Sequence, residues 1–242
     1  MIYVSLTTIP QRVGSLNKSI ESLLKQSQKP DKIFVNIPTK YKRFRENIEE
    51  NKIPKFDDRV EISRCEDCGP GTKLLGSLDK LKKNSLVILA DDDNIYDDYM
   101  IEKFFYYYSL YPNNAYSFYV HALGNFGIGQ GADGFAINTN HLKGIKSFYN
   151  TVVKDYKELF LYDDLWISYF LYYFKKNKIL SLREHLKKNK DGKISLIYKT
   201  HIFAKGLIST YGKNLNESVM KRDQIAIESF KYMVEKTKGL KF

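Results

Sequence analysis

The residues best suited to chemistry in this chain are three consecutive aspartates, Asp91, Asp92 and Asp93. They follow directly on the apolar run 86–90, which has the pattern of a strand buried on both faces. Adjacent carboxylates repel one another unless a cation neutralises them, and a divalent ion with oxygen ligands, Mg²⁺ or Mn²⁺, suits such a cluster. The alternative is a solvated acidic turn that caps a helix. We assign that capping role to Asp97 and Asp98, and the metal role to the triplet.

The elements that must position these aspartates alternate between strand and helix. Hydrophobic patterning predicts strands at 2–6, 32–37, 59–63 and 85–90, with helices at about 15–27 and 72–82. Such alternation predicts an α/β fold with a parallel sheet and helices on both faces. Right-handed crossovers then bring four loops to one edge of the sheet: 7–12, 36–38, 64–71 and 91–94. Ligands bind at this edge in open α/β sheets.

Beyond residue 94 the pattern changes. It predicts an aromatic-rich helix at about 97–110, a strand at 116–120, a glycine-rich loop over 124–134 and a short strand at 135–137. Further helices are predicted from about 139, from Asp163, and over 221–238. The aromatic cluster at 104–119 fits either a buried core or a sugar-stacking platform, and helical spacing favours the core. With no repeat or linker, the chain is predicted to be a single domain, 1–242.

Composition is that of an ordinary globular protein, with 43% hydrophobic and 28% charged residues in 242. No run approaches the length of a membrane-spanning helix, and the first strand begins without a signal-peptide pattern, so we expect a cytoplasmic protein. Abundant Lys, Asn, Tyr and Ile favour an origin in an AT-rich genome. Cys65 and Cys68 lack a second ligand pair for zinc, and we interpret them as reduced loop thiols.

Much of the net charge of +11 comes from the segment 175–205, which contains ten Lys/Arg and two acidic residues, Glu184 and Asp191. Such a run is usually a solvated face, and it is also compatible with an anionic substrate or with peripheral association with a membrane. A basic nucleic-acid-binding or membrane-binding module would explain this segment. It would not explain the aspartate triplet, which repels phosphate without a metal. We therefore expect no nucleic-acid partner.

Five motifs, in order, make the chain resemble a GT-A glycosyltransferase of the family-two type, in particular its small viral and bacterial members. They are Ser5-Leu6-Thr7-Thr8-Ile9-Pro10-Gln11-Arg12, Gly69-Pro70-Gly71-Thr72-Lys73, Asp91-Asp92-Asp93, Gly131-Ala132-Asp133-Gly134-Phe135 and Asp163-Asp164-Leu165-Trp166. The resemblance implies a nucleotide-binding half, 1–94, and an acceptor half, 95–242.

The resemblance also implies how the donor is held. The aspartate triplet matches the DXD motif, so that Asp91 approaches the ribose, Asp93 binds Mn²⁺ or Mg²⁺ with Asp91, and Asp92 assists or fills the turn. The remaining residues implied to contact the donor are Thr8, Pro10, Arg12, Asn36, Lys73 and Asp133. An asparagine can both donate to and accept from a uracil edge, and a lysine suits a diphosphate or ribose.

Transfer also needs a base for the acceptor hydroxyl, and the resemblance implies Asp164 at a helix start. The alternative for the pair is a helix N-cap, which Asp163 alone satisfies. His201, on a strand-like segment 197–201, is implied as an additional metal ligand, although a structural histidine is equally natural there.

The expected function is that of a metal-dependent, inverting glycosyltransferase that moves a sugar from a nucleotide sugar, with UDP favoured, to a glycan or lipid-linked acceptor. A metal-dependent phosphoryl or nucleotidyl transferase also uses paired aspartates. The stretch 69–73 lacks the spacing of a P-loop, which argues against that class.

Overall fold

The computed structural model describes residues 1–188, 190–195, 197–200 and 215–242. His201, the predicted additional metal ligand, lies outside the described residues.

Eleven strands are present in the described part of the chain. They are β1 (Ile2–Thr7), β2 (Lys32–Pro38), β3 (Val60–Cys65), β4 (Leu86–Leu89), β5 (Asn94–Tyr96), β6 (Ala115–Ser117), β7 (Val120–Leu123), β8 (Phe126–Gly129), β9 (Phe135–Asn138), β10 (Ile179–Ser181) and β11 (Tyr198–Thr200). Seven of them form the central sheet in the order β10-β6-β9-β4-β1-β2-β3. Within this sheet β9 is antiparallel to both neighbours and the other pairs are parallel. The predicted parallel-dominated α/β sheet is confirmed.

Helices cover both faces of the sheet. Those described are α1 (Leu16–Leu24), α2 (Thr72–Leu75), α3 (Met100–Leu110), α4 (Ile145–Phe148), α5 (Lys157–Phe160), α6 (Asp163–Lys175) and α7 (Leu215–Lys236). Because strand side chains alternate between faces, Val4 and Leu6 belong to one buried cluster with Ile20 and Phe104. Tyr3 and the opposite-facing strand residues belong to a second cluster, around the buried Trp166 of α6.

The helix predicted over 72–82 is only one turn long, followed by a 3-10 turn at Leu78–Lys80. The sequence pattern did not reveal the cause. The carbonyl of Lys73 would accept the next helical hydrogen bond from Ser77, but it accepts from the Ser5 hydroxyl at 2.5 Å and the Asn36 amide at 3.2 Å. The helix ends early because donors from the strands beneath it, Ser5 and Asn36, occupy the Lys73 carbonyl.

The predicted capping role of Asp97 and Asp98 is wrong. The residue before α3 is Tyr99, and no side chain caps this helix. Instead the carbonyl of Asp97 accepts from the Gln26 amide at 2.7 Å, and the Asp98 carboxylate lies 3.6 Å from Lys187. Two short strand pairs were also missed: β5 pairs with β11, and β7 pairs with β8, which lies in the predicted glycine-rich loop.

The aromatic cluster divides between core and surface. Phe104, Tyr116 and Phe118 are fully buried, as the predicted core role requires. Phe105 and Tyr106 lie on the outer face of α3 and are exposed. No helix in the described ranges is long and apolar enough to cross a membrane.

Candidate functional site

The candidate site lies where three segments meet at the carboxyl edge of the sheet. Leu89, at the end of β4, pairs with Phe135, at the start of the antiparallel strand β9. The loop that precedes β9 therefore lies beside the aspartates that follow β4. The first turn of α6 joins them, because Asp164 accepts a hydrogen bond from the Gly131 N–H at 2.9 Å. Motifs that are far apart in sequence thus share one location.

Asp92 is the inward-facing member of the triplet. It is buried, and it accepts hydrogen bonds from the Thr8 hydroxyl at 2.6 Å and from Arg12 at 2.9 Å. Its backbone carbonyl accepts from Ser19 of α1 at 2.6 Å. These contacts fix the turn after β4. Thr8 is itself 1% exposed, so it supports the triplet in this structure and does not face the predicted nucleotide.

Arg12 bridges two of the three carboxylates. Its guanidinium lies 2.9 Å from Asp92 and 3.0 Å from Asp93. The neighbouring carboxylates raise the Arg12 pKa although burial acts in the opposite direction. Pro10, also predicted to contact the donor, is half-buried in the turn that carries Arg12 to the triplet. This loop therefore orients Asp93 and partly neutralises it.

Lys73 is a buried counter-ion at the centre of the site. Its ammonium lies 2.6 Å from Asp91 and 3.2 Å from Asp163, and its side chain is only 6% exposed. Burial lowers the Lys73 pKa, but the surrounding aspartates outweigh it and hold that pKa well above its ordinary value. Lys73 therefore stays charged, and it ties the turn after β4 to the start of α6.

The loop before Lys73 needs glycine at one position in particular. Gly69 has φ +63°, and a Cβ there would lie 2.2 Å from the Phe160 carbonyl oxygen. The Gly69 N–H donates to Asp67 at 2.8 Å, which anchors the loop. This close approach to α5 lets the short helix α2 point Lys73 into the site.

Asp164 and Gly131 define the other wall of the site. A Cβ placed on Gly131 would lie 2.9 Å from the Lys73 ammonium, 3.2 Å from Asp164 and 3.7 Å from Asp91. Neither Asp163 nor Asp164 caps α6, whose N-cap is Tyr162 with no side-chain cap bond. Burial, reinforced by the adjacent Asp163, raises the Asp164 pKa well above its ordinary value. A carboxylate with a raised pKa is a stronger proton acceptor.

The site carries more negative than positive charge. Its carboxylates are Asp91, Asp92, Asp93, Asp133, Asp163 and Asp164, and its cations are Arg12 and Lys73. Burial, together with the Asp91 charge, raises the pKa of Asp93 to about 6 and that of Asp133 to about 6. A bound cation would relieve this repulsion.

The donor set fits a divalent cation that shares its coordination with a substrate. Among the described residues no group of three or more His, Cys, Asp or Glu side chains is placed to hold a metal ion. Mg²⁺ is commonly held by only one or two carboxylates plus substrate phosphates. Asp91 is the most open member of the triplet, with a side chain 29% exposed, and Asp93 follows at 13%. These two are the residues that could hold such an ion.

Asn36 was expected to contact the nucleotide base, but its side chain lies elsewhere. It is fully buried, and its amide donates to the Ser5 hydroxyl at 2.9 Å and to the Leu6 and Lys73 carbonyls. These bonds join β1, β2 and α2 beneath the site. The position suits a structural role and gives no support to a contact with uracil.

Two tyrosines contact the site, and the sequence pattern did not predict either of them. The Tyr96 hydroxyl accepts from the Asp91 N–H at 2.8 Å and so orients the first carboxylate of the triplet. The Tyr41 hydroxyl donates to the Thr8 carbonyl at 2.9 Å. An isolated tyrosine belongs to no motif, so only its pairing across the fold identifies it as part of the site.

Comparisons with known proteins give structural likeness only. No family model matches the sequence, and no curated protein matches it. The Francisella tularensis 2-C-methyl-D-erythritol 4-phosphate cytidylyltransferase has a TM-score of 0.52 at 11% identity, covering 86% of this chain and 96% of that one. The Pyrobaculum calidifontis mannosyltransferase, solved with GDP-Man and Mn²⁺, has a TM-score of 0.51 at 10% identity, covering 98% and 74%. S. aureus TarS, solved with UDP, has a TM-score of 0.50 at 13% identity, covering 95% and 70%.

These neighbours agree on architecture although one is a nucleotidyltransferase and another a sugar transferase. The parallel-dominated sheet and the helices on both faces match theirs. Identities this low establish the fold and nothing finer, so membership of the family-two group stays a prediction. The fold of this chain is GT-A-like, the Rossmann-related nucleotide-binding architecture that glycosyltransferases and nucleotidyltransferases share.

Proposed function

We propose that this protein is a metal-dependent glycosyltransferase. It would move a hexose or deoxyhexose from a nucleotide sugar, with UDP favoured, to a glycan or lipid-linked acceptor, with inversion. The observation that carries the proposal is the convergence at Gly131, where an added Cβ would lie within 4 Å of Lys73, Asp164 and Asp91. A candidate base, Asp164, and a candidate metal-binding carboxylate, Asp91, therefore face one small volume.

In this proposal the triplet holds the donor. Asp91 and Asp93 would hold Mn²⁺ or Mg²⁺ against the two phosphates, because they are the members of the triplet with exposed surface. When bound, the metal neutralises the charge that grows on the departing nucleoside diphosphate. Arg12 and Lys73 keep the two carboxylates apart and correctly oriented through ion pairs of 2.6–3.0 Å. The mannosyltransferase solved with GDP-Man and Mn²⁺ supports this donor class.

Asp164 would accept the proton of the acceptor hydroxyl. The Gly131 N–H fixes one carboxylate oxygen at 2.9 Å, which leaves the other oxygen as the proton acceptor. The raised pKa of Asp164 makes it a stronger proton acceptor than an ordinary carboxylate. With the base on α6 and the donor on β4, the halves 1–94 and 95–242 would supply donor and acceptor sites respectively.

The test is a panel of UDP-, GDP-, CDP- and dTDP-sugars, incubated with Mn²⁺ and assayed for free nucleoside diphosphate. We expect release from one nucleotide class, loss of release in Asp91→Asn, and full release in the matched control Asp79→Asn. Asp79 is a suitable control because its side chain is 85% exposed and its ion-pair partner, Lys146, is not a residue of the site.

The nucleotidyltransferase alternative predicts a different product. Such an enzyme would release inorganic diphosphate from a nucleoside triphosphate in the presence of a sugar phosphate, and no nucleoside diphosphate from the sugars of the panel. That result would overturn the glycosyltransferase proposal.

A further inference from the structure

Several exposed apolar side chains lie on α3 and on the elements next to it. Eleven large apolar side chains are exposed in the described ranges. Six of them lie on α3, just after it, between β6 and β7, or on the edge strand β10: Phe105 (39% exposed), Tyr106 (57%), Leu110 (51%), Tyr111 (58%), Tyr119 (39%) and Leu180 (37%). We call these six residues the aromatic surface. A cluster of this kind marks an interaction site more often than isolated exposed residues do.

Contacts through Tyr107 and Tyr116 connect α3 with the edge strand β10. The Tyr116 hydroxyl donates to the carbonyls of Tyr107 and Tyr111, which holds the end of α3 over β6. Tyr116 is paired with Leu180 of the edge strand β10. Paired residues of adjacent strands lie on the same face of a sheet, so Leu180 is on the α3 side. The Tyr106 and Tyr107 rings are 5.2 Å apart, which links the outer face of α3 to this region.

Positive charge borders the aromatic surface. Between residues 176 and 193 the sequence carries seven Lys/Arg against Glu184 and Asp191. This stretch begins beside β10 and returns to α3. The Arg183 guanidinium lies 5.5 Å from the centre of the Tyr119 ring, and the Lys187 ammonium lies 4.2 Å from that of Tyr99. The basic stretch thus contacts the aromatic surface at one end and the start of α3 at the other.

We propose that the aromatic surface and the basic stretch together bind an anionic lipid bilayer. Tyrosines with an apolar ring and a polar hydroxyl favour the boundary between water and acyl chains, and Leu110 and Leu180 add purely aliphatic area. Lysines and arginines beside them are attracted to anionic headgroups. A nucleic acid would use the basic residues but would gain nothing from the exposed leucines. The charge and the apolar area together therefore select a membrane surface.

Binding to a bilayer does not depend on the proposed transferase activity, because it can be measured without substrates.

The test is co-sedimentation of the purified protein with vesicles of phosphatidylcholine alone or with about 30% phosphatidylglycerol. We expect sedimentation only with the anionic vesicles, weakened by roughly tenfold when salt rises from about 0.1 M to about 1 M. Y106S/L110S/Y111S removes aromatic-surface side chains, and its matched control is I227S/V234S/L240S, which alters three exposed apolar residues of the C-terminal region. K178E/K188E/K190E tests the charge, with K52E/K55E/K82E as its control.

Both test variants should bind anionic vesicles roughly tenfold more weakly, and both controls should bind like the unmodified protein. Melting temperatures of all four confirm that they are folded, and the charge variant tests the proposal even if the aromatic variant does not fold. Failure to sediment with anionic vesicles overturns the proposal, as do equal losses in test and control variants. Concentration-dependent self-association that the aromatic variant abolishes, without vesicle binding, would assign the surface to a second copy of the chain instead.

Discussion

At the scale of single residues, the carboxylates of the candidate site differ in their burial and in their hydrogen-bond partners. Asp92 is turned inward and satisfied by Thr8 and Arg12, whereas Asp91 and Asp93 keep exposed surface. The family resemblance implied that Asp92 assists or fills the turn, and the binding role of the triplet stays a prediction. The sequence could not predict the partners of these carboxylates, because Arg12 and Lys73 reach the triplet from other loops and no local spacing records those contacts.

Asp164→Asn tests the proposed base. An asparagine can still accept the Gly131 N–H through its amide oxygen, so the fold and donor binding should survive. Transfer should fall by about 10²–10⁴-fold, the usual contribution of a general base. The measurement is transfer rate beside the melting shift given by Mn²⁺ and UDP. A variant with the unmodified rate would remove Asp164 from the mechanism.

Asp133→Asn tests whether the buried, ionised Asp133 carboxylate lowers the stability of the folded protein. The folded-state pKa of Asp133 is raised to about 6, so the folded protein binds this proton more tightly than the unfolded chain does. The stabilisation that protonated Asp133 gives to the folded state is therefore lost as pH rises from about 4 to about 6. The free energy of unfolding falls by about 2–3 kcal/mol in total. The substituted asparagine carries no charge, so the variant should be the more stable protein at pH 7.5 by that amount.

The measurement for Asp133→Asn is urea unfolding of both proteins without divalent metal at pH 7.5 and at pH 4. The stability difference between them should nearly vanish at the lower pH, where the aspartate is protonated. An equal stability difference at the two pH values would show that the ionised Asp133 carboxylate does not destabilise the folded protein.

At the scale of elements, three connections determine the site: the turn after β4, the loop before β9 and the first turn of α6. The alternating pattern placed the first of these at the carboxyl edge. The antiparallel direction of β9, which brings Gly131 to the same edge, could not be predicted from the sequence, because the residue pattern of a four-residue strand does not encode its direction. The early end of α2, within the helix predicted at 72–82, was missed for a related reason, since that end is set by Ser5 and Asn36 from other strands.

Gly131→Ala tests the convergence of these elements. The added methyl would lie 2.9 Å from Lys73 and 3.2 Å from Asp164. Lys73 cannot retreat easily, because two aspartates hold it in a buried position. We expect transfer to fall by roughly tenfold or more, since small displacements of reacting groups are costly. Gly14→Ala is the control, because a Cβ there meets nothing within 4 Å. Equal activity in the two variants would contradict the geometry.

Asn36→Ala tests the structural role of that residue. It removes an amide that serves three buried oxygens, and it should lower the free energy of unfolding by about 1–3 kcal/mol. The affinity for UDP with Mn²⁺ should change little. A large loss of UDP affinity with unchanged stability would restore the predicted contact between Asn36 and the base.

At the scale of the whole molecule, the sheet and its helices follow from the order of elements, and the fold is shared with enzymes of two transferase classes. Sequence patterning was sufficient for this architecture because buried strands and amphipathic helices are local features. The aromatic surface was not distinguished from the core, since Phe104 and Phe105 differ only in the face of α3 on which they lie.

The central claim is that a divalent metal and a nucleoside diphosphate bind together at the aspartate triplet, and thermal unfolding tests it most directly. Mn²⁺ with UDP, at about 100 times the dissociation constant, should stabilise the fold by about 2.7 kcal/mol. That corresponds to a rise of roughly 5–10 °C in Tm. Either ligand alone should give less, and Asp93→Asn should abolish the joint shift. No joint shift with any nucleoside diphosphate, or an undiminished shift in Asp93→Asn, would contradict the account.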